Sequence, residues 1–402
     1  MIKEVYFDNN ATTRVIPEVI DAMVPFLGEY YGNPSSIHRF GSGVGQKLAE
    51  ARPQVAKLIG AADPVEIIFT SCGTEGDNAA IRGMLEARPD KRHIVTTQVE
   101  HPAVLQLCQH LEKKGWRVTW LGVDENGALD LDELRAALSD DTALVSVMHA
   151  NNETGVIFPI DKIAEIVRAK GIPFHVDAVQ TAGKIPIDVR ASGVDLLTIS
   201  GHKFHGPKGI GALYVRRGIT FPPFLIGGHQ ERNRRAGTEN VAGIIGMGKA
   251  AELAFTRLGD YGSQVRALRD QLEQSLSASG LEIRINGQSQ ERLPNTSNVS
   301  FRYLEGESIL VLLDQQGICA STGSACTAGS SEPSHVLRAM KVPTDWLQGA
   351  VRFSLSRLNS ADEVDYVNEK LPPIVQRLKG FSALGRLGER SATVASNLGA
   401  RG

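Results

Sequence analysis

Hydrophobic positions over about the first 255 residues form short, continuously apolar runs that alternate with amphipathic helical patterns. The apolar runs are EIIFTS (66–71), HIVTTQ (93–98), RVTWLGV (117–123), ALVSVMHAN (143–151), PFHVDAVQ (173–180), DLLTISGHK (195–203) and GALYVRR (211–217). Strands that are apolar throughout and are joined by helices predict a mostly parallel sheet covered on both faces. Ligands of such sheets bind beyond the carboxyl ends of the strands.

The pattern changes near residue 260, where a smaller α+β unit is predicted to begin. A helix from about Thr238 to Leu258 precedes it, with Thr238 as N-cap and Glu239 in the first turn. A later helix is predicted to be entered at Glu332 and Pro333. We therefore expect four parts: an N-terminal segment (1–14) associated with the small domain, a large domain (15–258), the small domain (259–379), and a disordered or docking tail (380–402).

Composition and charge favour small-molecule chemistry. The 402 residues are 42% hydrophobic and 22% charged, and the formal net charge of -2 offers no field for nucleic acid or anionic membranes. The four cysteines show no CxxC spacing and are too few for a disulfide scaffold, which fits a reducing compartment. Neither a signal-peptide pattern nor a membrane-length apolar run is present, so we expect a cytoplasmic protein.

Three of the predicted strands end in residues with complementary chemistry. Lys203 follows one strand, Asp177 ends another, and Gly73 with Thr74 opens a helix after a third. The helix N-terminus offers backbone N–H groups to an anion, a carboxylate can hold a protonated ring nitrogen, and an amine can condense with an aldehyde. Phosphate, pyridinium and aldehyde are the three groups of pyridoxal phosphate (PLP). The strand ends therefore predict a PLP site.

Longer motifs make the chain similar to a known family. VDAVQT, SGHKFHGPKG, RAGTEN and GSACTAGSSEPSHVLRAM resemble the cysteine desulfurases, PLP enzymes of the aminotransferase fold (fold type I), and the similarity runs from YFDNNATT at residue 6 to about residue 378. The SEPSHVLRAM stretch resembles the nitrogenase-associated branch, and so suggests a link to nitrogen fixation. The resemblance implies conversion of L-cysteine to L-alanine, a homodimer, and an iron–sulfur scaffold protein as sulfur acceptor.

The resemblance also implies roles for individual residues around the cofactor. Lys203 would bond covalently to the PLP aldehyde, Asp177 would pair with the ring nitrogen, and Gln180 would bind the ring hydroxyl. His101 would stack on the ring and assist proton transfer, although it could instead cap the following helix. The phosphate would be held by Gly73, Thr74, Ser200 and His202, with Thr238 reaching the phosphate of the partner subunit. The substrate would be bound by Asn152 beside the ring and by Arg352, whose guanidinium suits a carboxylate and which is otherwise a surface strand residue.

Cys326 lies in a loop (319–332) of small and polar residues, where no large side chain from Ala320 to Ser334 could bury it. By the resemblance its thiolate would take sulfur from the substrate as a persulfide, on a loop hinged near Gly323 and Gly329. No resident metal is expected, but the resemblance leaves room for Cys326 to ligate an iron–sulfur cluster during transfer.

Two residues of the phosphate loop, Cys72 and Gly76, depart from the Ser or Thr expected in the family. We expect Cys72 and Cys319 to be buried structural thiols.

Three alternatives stay open at this point. A selenocysteine lyase or a PLP aminotransferase would share the fold and the cofactor, and an aminotransferase would not need Cys326. A non-catalytic iron–sulfur assembly scaffold would not explain Lys203 and Asp177 at strand ends.

Overall fold

The computed structural model describes residues 3–323 and 332–381. Its strands are β1 (Val5–Tyr6), β2 (Ile67–Thr70), β3 (His93–Thr97), β4 (Arg117–Leu121), β5 (Thr142–Met148), β6 (Phe174–Asp177), β7 (Leu196–Ser200), β8 (Gly211–Val215), β9 (Ile283–Ile285), β10 (Thr296–Phe301), β11 (Ile318–Cys319) and β12 (Ala350–Ser354).

The α-helices are α1 (Pro17–Met23), α2 (Pro25–Gly28), α3 (Arg39–Leu58), α4 (Gly73–Ala87), α5 (Pro102–Glu112), α6 (Leu131–Ala137), α7 (Ile160–Arg168), α8 (Val189–Ser192), α9 (Gln230–Asn233), α10 (Val241–Thr256), α11 (Leu258–Ala278), α12 (Gly306–Asp314), α13 (His335–Ala339), α14 (Thr344–Leu347) and α15 (Ala361–Phe381). Two 3-10 helices, Pro64–Glu66 and Gly201–Lys203, complete the description.

A seven-stranded sheet organises the first two thirds of the chain. Its strand order is β2-β8-β7-β6-β5-β3-β4, and β8 alone runs antiparallel to its neighbours. All residues of β3, β5 and β7 are buried, as expected for strands with helices on both faces. The predicted α/β architecture is confirmed, and each apolar run named above overlaps one of these strands.

A second, smaller sheet of order β12-β10-β9 lies in the later part of the chain and is antiparallel. The N-terminus joins this region, because β1 pairs in parallel with β11, and Val5 and Phe7 belong to the same buried cluster as α11, β10 and α15. Val336, Leu337 and Met340 pack instead into the core that surrounds the large sheet. The division into domains at the residues given above stays a prediction.

Two predicted helix starts are wrong by a few residues. Helix α10 begins at Val241, and its cap is Asn240, whose side chain accepts a hydrogen bond from the Gly243 N–H at 3.1 Å; Thr238 lies outside the helix. Helix α13 is capped by Ser334, so Pro333 precedes the cap and does not occupy the first turn. At α10 both Thr238 and Asn240 are residue types that suit a cap, whereas at α13 Ser334 suits a cap better than the residues predicted to begin the helix.

The prediction that Cys319 is buried is also wrong. In the β1–β11 pair Ile318 faces the core and Cys319 is exposed, because successive side chains of a strand point to opposite faces. Within residues 3–323 and 332–381 none of the helices is both long and apolar enough to pass through a bilayer.

Candidate active site

A cavity of about 240 Å³ lies where the strands of the large sheet end. Strands β2, β3, β5, β6 and β7 all deliver residues to it just after their carboxyl ends. The cavity brings together these predicted residues: Gly73, Thr74, His101, Asn152, Asp177, Gln180, Ser200, His202 and Lys203. Ligand sites of open α/β sheets occupy this position because the strand ends converge there.

Lys203 ends the 3-10 helix that follows β7, and its ammonium contacts the N-terminal segment. Lys203 Nζ donates to the carbonyl oxygens of Asn10 at 2.6 Å and Ala11 at 2.9 Å. Both acceptors are backbone carbonyl groups, and these two contacts hold the amine in place. An amine held in this way beside a cavity is suited to react with an aldehyde placed there.

Asp177 ends β6 and is buried at the floor of the cavity. Its Oδ1 accepts a hydrogen bond from the Val179 N–H at 2.9 Å. Burial raises the pKa of Asp177 to about 6, against the lowering effects of this hydrogen bond and of the Lys203 charge. The same burial, together with the Asp177 charge, raises the pKa of Asp77 well above its usual value. A buried carboxylate in this setting is stabilised as an anion by a cationic ligand group.

The predicted phosphate-binding residues surround the N-terminus of α4. The N-cap of this helix, Cys72, makes no side-chain hydrogen bond to the first turn, so it leaves the backbone N–H groups of the turn to another acceptor. Ser200 Oγ is buried and has no hydrogen-bond partner among the described residues. An orphaned hydroxyl beside a helix N-terminus fits an anionic group such as a phosphate. The expectation that Cys72 is buried is wrong, since its side chain is half-buried and lines the cavity.

The departure at Gly76 has a steric reason. A Cβ added to Gly76 would lie 2.6 Å from Thr198 Cγ2 on β7, closer than carbon atoms approach without displacement. Helix α4 therefore packs directly on β7, and the serine expected from the family would require Thr198 or the helix to shift.

His101 both caps α5 and lines the cavity, so the two readings of this residue are compatible. Its Nδ1 accepts the Ala103 N–H at 3.2 Å, which places the proton of the neutral ring on Nε2. Burial, with the charges of Lys203 and His335, lowers the pKa of His101 to about 4. The imidazole is therefore neutral near pH 7 and can donate a hydrogen bond from Nε2.

Arg352 does not line the cavity. It is a buried residue of β12 that contacts the backbone of the cavity residue Asn152. It is 2% exposed, so the surface reading of this residue is wrong. Its Nη1 donates to the Asn152 carbonyl at 3.0 Å and its Nη2 donates to Asp8 Oδ1 at 2.9 Å. Its buried Nε has no partner in the described part of the chain. A carboxylate that reached this side would satisfy the Nε–H.

Glu153 contacts both flanks of residues 324–331. Its carboxylate accepts a hydrogen bond from Ser334 Oγ at 2.5 Å, and a Cβ added to Gly323 would lie 2.1 Å from its Oε2. Gly323 is thus required for the close approach of this carboxylate. Cys326 and Gly329 lie outside the described residues.

Several contacts of the site were not predicted from the sequence. Asn10 is buried and its carbonyl accepts from both Lys203 and Gln180, while Asp8 pairs with Arg352. Both residues belong to the YFDNNATT motif, which was the available signal. Thr238 is exposed and does not line the cavity of its own chain. Over residues 3–323 and 332–381 no group of His, Cys, Asp and Glu side chains could hold a metal ion.

The geometry can now be set beside known proteins. The family model described as Aminotransferase class-V matches residues 5–367. A cysteine desulfurase of Trichormus azollae is 59% identical over 378 residues, which cover 94% of this chain and 94% of that protein. The cysteine desulfurase NifS of Azotobacter vinelandii is 53% identical over 379 residues, with the same coverage of both chains. This chain belongs to the cysteine desulfurases.

Solved structures agree with membership in the cysteine desulfurases. A NifS-like protein matches this chain with a TM-score of 0.88 and 42% identity, covering 94% of this chain and 100% of that one. A NifS-like protein from Rickettsia africae matches with a TM-score of 0.84 and 30% identity, covering 93% and 100%. The family and fold type implied by the motifs are confirmed.

Proposed function

We propose that this chain converts L-cysteine to L-alanine with PLP in the cavity described above, and that it takes the sulfur onto Cys326 as a persulfide. The observation that carries the proposal is the convergence of Lys203, Asp177 and the α4 N-terminus on one cavity, in a chain that belongs to the cysteine desulfurases. The sulfur would pass to a scaffold protein of iron–sulfur cluster assembly, and nitrogenase would be a destination of the clusters.

The residues present fit PLP. The orphaned Ser200 hydroxyl, the α4 N-terminus with Gly73 and Thr74, and His202 would hold the phosphate. Asp177 would hold the protonated ring nitrogen, and Gln180 would hydrogen-bond the ring oxygen. Lys203 would bind the aldehyde covalently, and His101 would cover a face of the ring.

Bound PLP supplies an electron sink for the electrons released at the substrate Cα. The Lys203 amine would serve as the base that removes the Cα proton. Asp177 would keep the ring nitrogen protonated, because a positive charge there would stabilise the buried carboxylate. His101, neutral near pH 7, carries its proton on Nε2 and would donate a hydrogen bond from there to a reacting group.

Arg352 would bind the substrate carboxylate through its unpartnered Nε–H. Asn152 would contact the substrate from the cavity side, because its carbonyl binds Arg352 while the residue lines the cavity. Together these residues would orient L-cysteine with its sulfur toward the loop that carries Cys326.

The Cys326 thiolate would attack the substrate sulfur, forming an S–S bond as the substrate Cβ–S bond breaks. The electron pair of the broken bond remains with the substrate carbons, which are protonated to yield alanine. A thiolate is needed because the thiol is a poor nucleophile. A persulfide on a loop can then meet an acceptor protein outside the cavity.

We also propose a homodimer in which Thr238 reaches the phosphate of the partner subunit. Thr238 is exposed and outside the cavity of its own chain, as such a role requires. Large apolar side chains are exposed in the segments before α3 and before Thr238, and would be covered by a second copy: Leu27, Tyr31, Ile37 and Ile226.

The test measures alanine formed from L-cysteine and the mass of Cys326 peptides after one turnover. Wild-type protein is expected to form alanine and to gain the mass of one sulfur atom on Cys326. Cys326→Ala should retain bound PLP but lose at least about a thousandfold in turnover, because no nucleophile remains. Lys203→Ala should be inactive and should leave no PLP attached after borohydride reduction.

Matched controls are Cys319→Ala, which removes an exposed thiol, and Lys208→Ala, which removes an exposed lysine five residues after Lys203. Both are expected to keep activity. Normal turnover by Cys326→Ala, or a keto acid product without alanine, would contradict the proposal, and the keto acid would indicate an aminotransferase. Selenide release from selenocysteine with negligible turnover of cysteine would indicate a selenocysteine lyase.

A further inference from the structure

Lys184 is a buried lysine that lies behind the cavity and does not line it. It follows β6 by seven residues and is 2% exposed. Its Nζ donates to Gln180 Oε1 and to Asn10 Oδ1, both at 2.9 Å. One of these acceptors, Gln180, lines the cavity directly. Lys184 is therefore connected to the cavity through a single side chain.

The amide of Gln180 lies between a donor and an acceptor that cannot exchange roles. Its Oε1 faces the Lys184 amine, and its Nε2 donates to the Asn10 carbonyl at 3.0 Å. A backbone carbonyl only accepts and a lysine ammonium only donates. In the reversed amide, Oε1 would therefore face the Asn10 carbonyl, another acceptor, and Nε2 would face the Lys184 ammonium, another donor. The hydrogen bonds thus select one of the two amide orientations.

The selected orientation decides what Gln180 offers to a ligand. Among the described residues Nε2 makes one hydrogen bond, to Asn10, and its second N–H is available to a group in the cavity. Gln180 can therefore act there only as a donor. A reversed amide would present a carbonyl oxygen and would repel an anionic oxygen of the ligand.

The orientation does not depend on the charge of Lys184. Burial, with the charges of Lys203 and Arg352, lowers the pKa of Lys184 well below its usual value. A neutral amine still has two N–H groups, which match the two acceptors Gln180 Oε1 and Asn10 Oδ1. With the amine charged or neutral, Lys184 keeps a donor on Gln180 Oε1, and this contact and the Asn10 carbonyl select the amide orientation together.

We propose that Lys184 is a positioning residue of this site, which fixes Gln180 as a hydrogen-bond donor to the negatively charged ring oxygen of the cofactor. The inference rests on the proposed function only in that the cavity takes PLP. A donor at the ring oxygen favours the form of bound PLP with the greater negative charge there. Loss of the donor should therefore raise the pKa of the bound chromophore.

The experiment titrates the visible absorption band of the holoenzyme with pH, which reports on the ring oxygen without requiring turnover. Lys184→Met removes the donor and is expected to raise the pH midpoint of the band by about one unit, the effect of one hydrogen bond to a charged oxygen. Lys184→Gln retains an N–H donor and should stay near the wild-type midpoint. Lys162→Met is the matched control, since Lys162 is exposed on the open groove that Lys184 also borders, and it should cause no shift.

A double-mutant cycle separates positioning from a general structural effect. Gln180→Ala alone should raise the midpoint, and Lys184→Met should add nothing in that background, because Lys184 acts through Gln180. A shift with Gln180→Ala but none with Lys184→Met would overturn the inference and leave the proposed function intact. No shift with Gln180→Ala would overturn both the inference and the assignment of Gln180. Should Lys184→Met not fold, Lys184→Leu replaces it with the same expected shift.

Discussion

At the scale of single residues, the environment of the cavity sets the protonation states that the chemistry requires. Burial raises the pKa of Asp177 to about 6 and lowers that of His101 to about 4. Near pH 7 the carboxylate is therefore largely ionised and the imidazole is neutral. An anionic partner for the ring nitrogen and a neutral histidine are the states assigned above.

The raised pKa of Asp177 predicts that PLP affinity depends on pH. Below pH 6 the empty cavity holds a protonated Asp177, which must lose its proton before it can pair with the positively charged ring. Binding of PLP to the apo-enzyme is expected to be about tenfold weaker at pH 5 than at pH 7, since the ionised fraction falls by about that factor. Equilibrium titration of the apo-enzyme across this range measures the effect.

The Asp177→Asn variant should bind PLP more weakly than the wild type at pH 7, and its PLP affinity should change little with pH. The Asp161→Asn variant, at an exposed site, should match the wild type in both respects. An equal slope in Asp177→Asn would assign the pH dependence to another group, such as Asp77 or His101.

The sequence predicted the residues that follow strand ends and missed those held by distant contacts. Lys203 and Asp177 were found because apolar runs locate strands, and strand ends converge in this class of sheet. Lys184 gave no such signal, since its function depends on Gln180 and on Asn10, which lies 174 residues away. Asn10 likewise reaches Lys203 across 193 residues. Such contacts follow from the tertiary fold and leave no local pattern.

At the scale of elements, the packing of α4 on β7 controls the position of the helix N-terminus at the cavity. Apolar runs predicted both elements, but the close contact between Gly76 and Thr198 required the structure. The start of α10 could not be predicted from the local sequence either. Thr238 and Asn240 are both residue types that suit an N-cap, but only Asn240 forms a hydrogen bond with the first turn.

Gly76→Ser is expected to destabilise the protein by about 1–3 kcal/mol, because its Cβ overlaps Thr198 Cγ2. Thr198→Ser removes that methyl group and keeps the hydroxyl, which bonds His175 at 3.0 Å. The double variant should regain most of the lost free energy of unfolding. Denaturant unfolding of the wild type, the two single variants and the double variant would measure this coupling. A Gly76→Ser variant as stable as the wild type would show that the helix shifts freely on the sheet.

At the scale of the whole molecule, the proposed dimer would have two effects. It would bury the exposed apolar side chains, and it would bring Thr238 to the phosphate site of the other subunit. Leu27 is 71% exposed and Ile37 is fully exposed in the single chain. Exposure of this kind in neighbouring segments is typical of an interface.

Replacing Leu27 and Ile37 together by Asp is expected to convert a dimer into single chains of 43.3 kDa, measured by sedimentation. PLP affinity should fall about tenfold, because a hydrogen bond from the Thr238 of the partner to the phosphate would be lost. Val311→Asp, at an exposed position of α12, is the control and should remain dimeric. A wild type that sediments as one chain would contradict the dimer.

The pairing of β1 with β11 has a consequence for biosynthesis. Residues 5 and 6 leave the ribosome long before their strand partners, residues 318 and 319, and Asn10 cannot form its contacts until Asn295 and Ser354 have been made. The acceptors of the Lys203 amine are therefore not fixed until most of the polypeptide has been translated. Nascent chains arrested before residue 354 should therefore bind no PLP. Binding is expected only once the chain beyond residue 354 has left the ribosome.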